Sequence, residues 1–458
     1  MQTRRDFIKT SLLGTGGLLL GGLSLDSSIY ARSRNANDIV KVGIVGFSDR
    51  CRGSLIPAFM AHAQELGFEI VAVSDIWKRR REEAAAFFEK NYGKKVRLFR
   101  NNEELYEAKI CDAVIISTAD FQHATHLVEA VKAGCDAYCE KPFAETMEDA
   151  RTALRIAKES DRIIQIGSQR RSAPNYHAAC DFIKSGKFGQ ITMVEMSWNV
   201  NQPGRWRRPA LVAECREEDT DWKRFLCNRP YEPWDPRKYL EYRLFWPYSS
   251  GIPGQWMSHQ IDTVHWFTGL SHPRSVAANG GIYLWKDGRR NYDTMTAVMD
   301  YGPEGSTDGF QVLYTSRFTN SAGGVKELYF SNGGTLNLDT NEVTSAGGLQ
   351  ARDARDMGME ANLLESFKLP DIKVDTAANM GGDPMTSLHM RNWMECVRSR
   401  KETNAPVQAG YNHSIATMMT NAAVRSGEKV TFDERAQEIL AGGKPFEPFN
   451  YIYTVFFC

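Results

Sequence analysis

Short apolar segments alternate with amphipathic stretches along the first third of the chain. Five apolar runs have the length of buried β-strands, at 39–45, 69–74, 113–117, 137–139 and 163–166. Apolar positions at helical spacing fall between them, at 78–90, 123–133 and 147–159. Strands that alternate with helices form parallel sheets covered on both faces, so the pattern predicts a doubly wound α/β domain over residues 38–167.

The pattern changes after residue 167, where the strands become longer and crossover helices rarer. Strand-like segments occur at 191–200, 275–285, 294–301 and 310–316, and amphipathic helices at 387–400 and 412–426. Long strands with few crossovers are typical of antiparallel or mixed sheets. We therefore predict an α+β domain with a large open sheet over residues 168–445.

Composition narrows the classes of partner. The chain has 56 Lys and Arg against 56 Asp and Glu, so its net charge of zero gives no indication of a nucleic-acid or anionic-membrane partner. A hydrophobic fraction of 42% excludes a disordered chain. Nine cysteines without a CxxC pair indicate neither a zinc framework nor a dense disulfide scaffold.

The first 31 residues resemble a twin-arginine export signal. Arg4 and Arg5 precede an apolar, glycine-rich run at 12–25, and a small-residue cleavage point follows near Ala31. The run of 14 residues is shorter than the ~20 that a membrane-spanning helix needs, so no stable membrane insertion is expected. This resemblance predicts export to the periplasm, and signals of this class carry folded proteins that often contain a cofactor.

The turn after the first strand lies where a dinucleotide-binding loop would lie. Its candidate cofactor residues are Gly46, Phe47, Ser48 and Arg50. Ser48 occupies the second glycine position of the usual pattern, so its side chain must point aside or bond a phosphate itself. An ordinary strand-to-helix turn is the alternative.

An acidic residue ends the second strand. Asp75 lies 22 residues after Gly53, a spacing at which a carboxylate accepts hydrogen bonds from an adenosine ribose and repels a 2′-phosphate. The sequence therefore favours NAD over NADP as the cofactor.

Residues 112–150 closely resemble the family of glucose-fructose oxidoreductase, inositol dehydrogenase and the rhizopine-catabolism proteins (Gfo/Idh/MocA). The hallmark of that family is the triplet Glu140, Lys141, Pro142 at a strand end, and the likeness continues through Gln169 and Arg171. The resemblance implies a Rossmann-type nucleotide domain and an NAD-dependent oxidoreductase. It also implies that Thr118, His123, Glu140, Lys141 and Gln169 contact the cofactor, and that the second sheet mediates homo-oligomerisation.

The chemistry of Lys141 can also be argued from its place. A lysine at the carboxyl end of a parallel strand faces the crevice where a dinucleotide binds. Partial desolvation beside a positively charged nicotinamide disfavours the ammonium form and lowers the lysine pKa towards the working pH. Lys141 could then take the proton of a substrate hydroxyl.

A helix around residues 254–266 carries further candidates. The resemblance implies that His259 assists Lys141 and that Asp262 matches a later acid of the family pattern, while Gln255 replaces its first aspartate. A glutamine can orient an imidazole by hydrogen bonding but cannot stabilise an imidazolium by charge. His259, Asp262 and His265 spread around the helix, so we expect no metal site.

Three residues are candidates for substrate binding: Arg171, Trp206 and Asp262. Trp206 belongs to the stretch 201–248, whose aromatic rings and guanidinium groups suit carbohydrate faces and hydroxyls. A long loop packed on the sheet is the alternative for any one of these side chains.

The leading hypothesis is an exported NAD-dependent oxidoreductase that transfers a hydride from a C–OH group of a sugar, sugar derivative or cyclitol to nicotinamide. Free NAD is not expected outside the cytoplasm. A first alternative is therefore a redox-neutral reaction with tightly held NAD, either a glycosidase or a sugar–sugar oxidoreductase. A second alternative is a sugar-binding protein of the same fold without turnover.

Overall fold

The first sheet lies in the N-terminal part of a computed structural model that describes residues 38–202, 204–303, 305–372 and 383–451. The candidate export signal at 1–31 lies outside these residues. The sheet is parallel, in the order β3-β2-β1-β4-β5-β6. Its strands are β1 Val40–Val45, β2 Phe68–Ser74, β3 Arg97–Phe99, β4 Ala113–Ile116, β5 Asp136–Cys139 and β6 Ile164–Ile166.

Five helices connect these strands: α1 Ile56–Leu66, α2 Lys78–Tyr92, α3 Asn102–Glu107, α4 His123–Lys132 and α5 Met147–Lys158. Every residue of β4 and β5 is buried, as expected of central strands with helices on both faces. The predicted doubly wound sheet is confirmed. The sequence did not predict strand β3, because only Phe99 of its three residues is buried and the strand therefore has no apolar run.

The second sheet has eleven strands among the described residues, in the order β14-β13-β12-β11-β7-β10-β9-β8-β15-β16-β17. They are β7 Ile191–Asn199, β8 Ser275–Gly281, β9 Thr294–Tyr301, β10 Phe310–Arg317, β11 Val325–Ser331, β12 Gly334–Asn337, β13 Glu342–Thr344, β14 Phe367–Lys368, β15 Val430–Asp433, β16 Glu438–Ala441 and β17 Lys444–Pro445. The pair β7–β10 is parallel and its neighbours are antiparallel, so the sheet is mixed, as predicted.

The remaining helices are α6 Pro174–Lys184, α7 Pro209–Glu214, α8 Trp222–Leu226, α9 Pro236–Leu240, α10 Ser258–Thr268, α11 Ala351–Asp356, α12 Pro384–Ser399 and α13 Val407–Ser426. Helix α13 packs against α5 of the first sheet and against β8 of the second. Its burial on almost every side follows from this position. The domain boundary at 167/168 and the oligomerisation through the second sheet stay predictions.

Helix α12 returns from the C-terminal part of the chain to the first sheet. It packs on α1, and its fully buried Trp393 lies with its ring 6.4 Å from that of Phe68 and 5.9 Å from that of Tyr138. The core of the nucleotide-binding half is thus completed by a residue more than 200 positions after its last strand.

Trp393→Ala should lower the free energy of unfolding by about 3–5 kcal/mol, because it removes a large buried ring and leaves a cavity. Glu395→Ala, on the exposed face of the same helix, is the control and should change stability by no more than about 0.5 kcal/mol. Denaturant unfolding followed by tryptophan fluorescence and by circular dichroism measures both. Equal effects of the two changes would contradict the placement of α12.

Candidate active site

A cleft runs along the edge where strands β1, β2, β4 and β5 end. Two adjoining cavities of about 660 and 800 Å³ occupy it, within the ~300–1,000 Å³ common for small-molecule sites. The first cavity is lined by the turn after β1 and by Asp75, and the second by Lys141 and His259. Both include Ser48, Arg50, Thr118, Trp206 and Arg243, so the cavities are continuous.

The turn after β1 needs its glycine. Gly46 has a φ of +86°, and a Cβ there would lie 2.7 Å from Cγ2 of Thr118. The Ser48 hydroxyl lies 3.0 Å from that of Ser117 and accepts a hydrogen bond from the backbone N–H of Cys51 at 3.2 Å. Its side chain therefore points aside, which leaves the backbone open to a pyrophosphate.

Asp75 is fixed at the end of β2 by two backbone groups. Its carboxylate accepts hydrogen bonds from the N–H groups of Phe47 and Trp77, each at 2.9 Å. Burial raises the pKa of this carboxyl, while the two N–H groups act in the opposite direction. The carboxylate borders the first cavity, in the place from which it could accept a ribose hydroxyl.

Glu140 connects the ends of β1, β5 and β6. It accepts hydrogen bonds from Arg50 Nε at 3.0 Å and from Gln169 Nε2 at 3.3 Å. Burial acts to raise the pKa of Glu140, but the cations Arg50 and Lys141 hold it below its usual value. Glu140 is therefore an anion beside the lysine that follows it.

Lys141 projects into the second cavity. Its Nζ donates a hydrogen bond to the backbone oxygen of Gln255 at 2.5 Å. Burial lowers the pKa of Lys141 to about 8, although the negative charges of Glu140 and Asp120 oppose the shift. An amine with this pKa is partly unprotonated near neutral pH and can accept a proton.

His259 borders the same cavity and stacks on Trp198, with the ring centroids 6.0 Å apart. Burial and the Lys141 charge hold its pKa well below the usual value, so the ring is neutral at pH 7. The Gln255 amide does not orient this ring. It donates instead to Asp120 at 2.5 Å and accepts from Arg243 Nε at 2.9 Å.

Thr118 and His123 take different positions around the lysine turn. His123 is buried, and its Nδ1 bonds the backbone oxygen of Pro142 at 2.8 Å, so it braces the turn that follows Lys141. The hydroxyl of Thr118 borders both cavities and has no hydrogen-bond partner within the described part of the chain. A buried hydroxyl without a partner fits a contact with a bound ligand.

Arg171 and Asp262 lie behind the cleft. Two hydrogen bonds join them, at 2.7 and 3.0 Å, and Arg171 also lies over the ring of Trp266. Neither residue borders the two cavities, so the structure does not bring this pair to the place where Lys141 and His259 meet. Trp206 does border both cavities, with 8% of its surface exposed.

Residues 204–248, here named the cover segment, extend over the first cavity. Ion pairs join this segment to the turn after β1 and to the first turns of α2 and α3: Arg208 to Asp49 at 3.4 Å, Glu214 to Arg79 at 2.5 Å and Arg224 to Glu103 at 3.2 Å. Exposed pairs of this kind contribute only ~0–1 kcal/mol each. These ion pairs therefore show where the cover segment lies, but they contribute little to holding it there.

Aromatic packing anchors the cover segment more firmly. Phe225 lies 5.3 Å from Phe121, centroid to centroid, and its backbone oxygen accepts a hydrogen bond from Gln122 Nε2 at 2.7 Å. The ring centroid of Tyr239 lies 6.1 Å from that of Trp77. Much of the aromatic content that suggested carbohydrate contacts therefore packs on the nucleotide half.

Within residues 38–202, 204–303, 305–372 and 383–451, no group of three or more His, Cys, Asp or Glu side chains is arranged to hold a metal ion. No helix there is both long and apolar enough to cross a bilayer. The eight cysteines of these ranges form no disulfide bond with one another.

Residues 40–168 match the model of an oxidoreductase family with an NAD-binding Rossmann fold, Gfo/Idh/MocA. This segment of the chain is therefore similar to the Gfo/Idh/MocA oxidoreductases. The match ends one residue before Gln169 and includes the turn after β1, Asp75 and the Glu140–Lys141–Pro142 triplet. Its extent coincides with the parallel sheet.

Known relatives of this Gfo/Idh/MocA segment act on small polyols and sugars. Inositol 2-dehydrogenase of Salmonella typhimurium is 30% identical over 196 residues, 42% of this chain and 55% of that protein. The 1,5-anhydro-D-fructose reductase of Ensifer adhaerens is 30% identical over 195 residues, 41% of this chain and 56% of that protein. The chain therefore spans little more than half the length of the curated relatives that it matches.

The fold extends beyond the matched segment. The WlbA dehydrogenase of Bordetella pertussis, solved with NADH and UDP-GlcNAcA, aligns with a TM-score of 0.62 over 87% of this chain and 99% of its own. At 17% identity this likeness shows a shared fold, including the second sheet.

The residues of the second cavity that sequence reasoning did not predict include Arg170, Trp198, Arg243 and Trp256. They come from four separate segments of the chain. The aromatic and basic bias of the stretch 201–248 was the signal that could have indicated Arg243.

Proposed function

We propose that this protein is an NAD-dependent oxidoreductase that converts a C–OH group of a sugar, sugar derivative or cyclitol to a carbonyl. The observation that carries the proposal is the Lys141 amine, with its pKa lowered to about 8, in a cavity continuous with the candidate nucleotide cavity. The names of the relatives, which act on inositol and anhydrofructose, support this substrate class.

Each residue of the second cavity has a distinct role in this reaction. NAD, when bound along the carboxyl edge of the sheet, supplies the hydride acceptor. Lys141 takes the hydroxyl proton as the C–H bond breaks and the carbonyl forms, so proton and hydride leave the substrate in one oxidation. His259, neutral and in the same cavity, hydrogen-bonds the reacting oxygen, and Arg243 and Trp198 hold the polyol.

The preference for NAD over NADP rests on Asp75. Its carboxylate borders the nucleotide cavity and is held by the backbone of Phe47 and Trp77, so it cannot move away from a 2′-phosphate without breaking two hydrogen bonds. Arg80 lines the same cavity, but it is paired with Asp49 and Glu83.

Lys141→Met should reduce kcat by about 10²–10⁴-fold, because the variant keeps the bulk of the side chain and loses the proton acceptor. Binding of NAD should change by less than about threefold, since Lys141 lies in the second cavity. Cyclitols, hexoses and their glycosides are tested with NAD, and 1,5-anhydro-D-fructose with NADH, by absorbance of reduced nicotinamide. Titration of tryptophan fluorescence measures NAD binding.

Lys132→Met, at the exposed end of α4, is the matched control and should behave as the unaltered protein. A Lys141→Met protein that oxidises its substrate at the original rate would refute the assigned role. Failure of the unaltered protein to bind NAD would refute the proposed function itself.

A second candidate reaction is redox-neutral, with NAD retained through each turnover. The observation that favours it is the cover segment, which packs on loops after β1, β2 and β4 at the candidate nucleotide cavity. A cofactor enclosed in this way exchanges slowly. Slow exchange suits oxidoreduction between two sugars, or glycoside cleavage through a transient keto-sugar, better than a net dehydrogenase.

Phe225→Ala should accelerate NAD release by at least about tenfold, because it removes the ring that packs on Phe121 and borders the nucleotide cavity. Tyr231→Ala removes an aromatic ring from the same segment that is 78% exposed, and it should leave the release rate unchanged. Release is followed by displacement of bound NADH fluorescence with excess NAD. If the unaltered protein releases NADH as fast as the Phe225→Ala variant, the cover segment does not retain the cofactor.

We also propose that the protein is exported with its cofactor already bound. The support comes from Arg4 and Arg5 before the apolar run at 12–25, a pattern read by the twin-arginine machinery. A retained cofactor would serve such a protein in a compartment where free NAD is not expected.

Replacing Arg4 and Arg5 together by Lys should abolish export of a reporter fused to residues 1–40, because the paired arginines are the recognised feature. Fractionation of a bacterial host measures the periplasmic share of the reporter. Replacing Arg32 and Arg34 by Lys makes the same chemical change downstream and should leave export intact. Equal export of both fusions would argue against this route.

A further inference from the structure

A buried carboxylate lies directly behind the candidate active site. Asp120 follows β4 and is 1% exposed. Its Oδ2 accepts hydrogen bonds from Ser249 Oγ at 2.6 Å and from Gln255 Nε2 at 2.5 Å. Its Oδ1 lies 3.8 Å from the Arg243 guanidinium and has no hydrogen-bond partner among the described residues.

Gln255 links this carboxylate to the lysine. Its side-chain amide donates to Asp120, and its backbone oxygen accepts the hydrogen bond from Lys141 Nζ. The side chain at position 255 is therefore neutral and fully engaged, and the negative charge lies one residue further from the cleft. That charge comes from the loop after β4 and not from the segment that leads into α10.

We propose that Asp120 is a positioning residue for Lys141: it holds the side-chain amide of Gln255, whose backbone oxygen accepts the hydrogen bond from the lysine, and it places a negative charge near the lysine. The proposal rests on the proposed function of Lys141 as proton acceptor. In this arrangement the carboxylate comes from the loop after β4. Asp120 accepts a hydrogen bond from the Gln255 amide, and the Gln255 backbone oxygen accepts one from Lys141.

The charged groups around Lys141 are Glu140 beside it, Asp120 after β4, Arg50 after β1 and Arg243 in the cover segment. The uncharged ring of His259 also neighbours the lysine, and the Tyr242 hydroxyl neighbours Asp120 and Arg243. Glu145, from the loop after β5, also faces Asp120. Burial and the two arginines favour the neutral amine, whereas the two carboxylates favour the ammonium ion, so Asp120 opposes a further fall of the Lys141 pKa.

The neighbours of Asp120 come from two other parts of the chain. Its Oδ1 lies 3.8 Å from the Arg243 guanidinium, and the Tyr242 hydroxyl is a further neighbour of the carboxylate. Its Oδ2 accepts the hydrogen bond from the Gln255 amide. Asp120 therefore connects the loop after β4 with the cover segment and with the residue that binds Lys141.

Asp120→Asn keeps the volume and removes the charge, so it should lower the pKa of Lys141, by about one unit or more. Competitive acetylation of Lys141 with acetic anhydride across pH, quantified by mass spectrometry, measures this pKa without any turnover. In the oxidation direction the unprotonated amine is the active form. The rising limb of kcat against pH should therefore move to lower pH by the same amount.

The double variant Asp120→Asn/Gln255→Asp moves the charge to position 255 and should return the Lys141 pKa towards its original value. This rescue distinguishes charge from fold, and it provides the same readout if Asp120→Asn alone is poorly folded. Asp136→Asn is the matched control, because Asp136 is equally buried at the opposite end of β5 and should leave the pKa unchanged.

A Lys141 pKa that is the same in Asp120→Asn as in the unaltered protein would overturn the proposal. An equal shift in Asp136→Asn, or a double variant that resembles Asp120→Asn, would also overturn it. Since acetylation reports the lysine alone, these outcomes remain distinct from a failure of the protein to oxidise any sugar or cyclitol.

Discussion

Burial of the Lys141 ammonium group is the constraint on which the rest of the cleft depends. A cation at the end of a central parallel strand loses most of its hydration, and the cost is recovered only where anions and carbonyl oxygens surround it. Glu140, Asp120 and the backbone oxygen of Gln255 meet that need from three different elements. Arg50 in turn neutralises Glu140, which connects the turn after β1 to the same set of charges.

The second sheet and the C-terminal helices hold this arrangement in place. The Gln255 carbonyl belongs to the turn of helix before α10, and α10 packs on α13, which reaches back to α5 of the first sheet. Displacement of α13 would therefore move the Lys141 partner relative to the strand that carries the lysine. The candidate site thus draws on both parts of the chain, since Glu140, Asp120 and Arg50 come from the first part and Gln255 and Arg243 from the part that follows it.

The strand-end chemistry was predictable from the sequence, and the long-range contacts were not. Fully buried strands such as β4 and β5 produce unbroken apolar runs, and Glu140–Lys141–Pro142 is a compact motif, so the sheet and its lysine could be placed at once. Contacts such as Asp120 to Gln255 join residues 135 positions apart, and the Arg171–Asp262 pair joins residues 91 apart. Periodicity reports which face of an element is buried, and it does not report which buried polar side chains meet.

The same limitation explains why the sequence leaves both substrate contact and packing on the protein open for the aromatic stretch 201–248. Tryptophan and tyrosine suit both sugar faces and protein cores, and composition cannot distinguish the two. In the structure Trp222, Phe225 and Tyr239 pack together over the nucleotide cavity, while Trp206 borders both cavities. A single segment thus encloses the candidate cofactor site and contributes Arg243 beside the lysine. Because Arg243 belongs to this segment and lies 3.8 Å from Asp120, the segment that covers the candidate cofactor cavity also contributes one of the charges that act on Lys141.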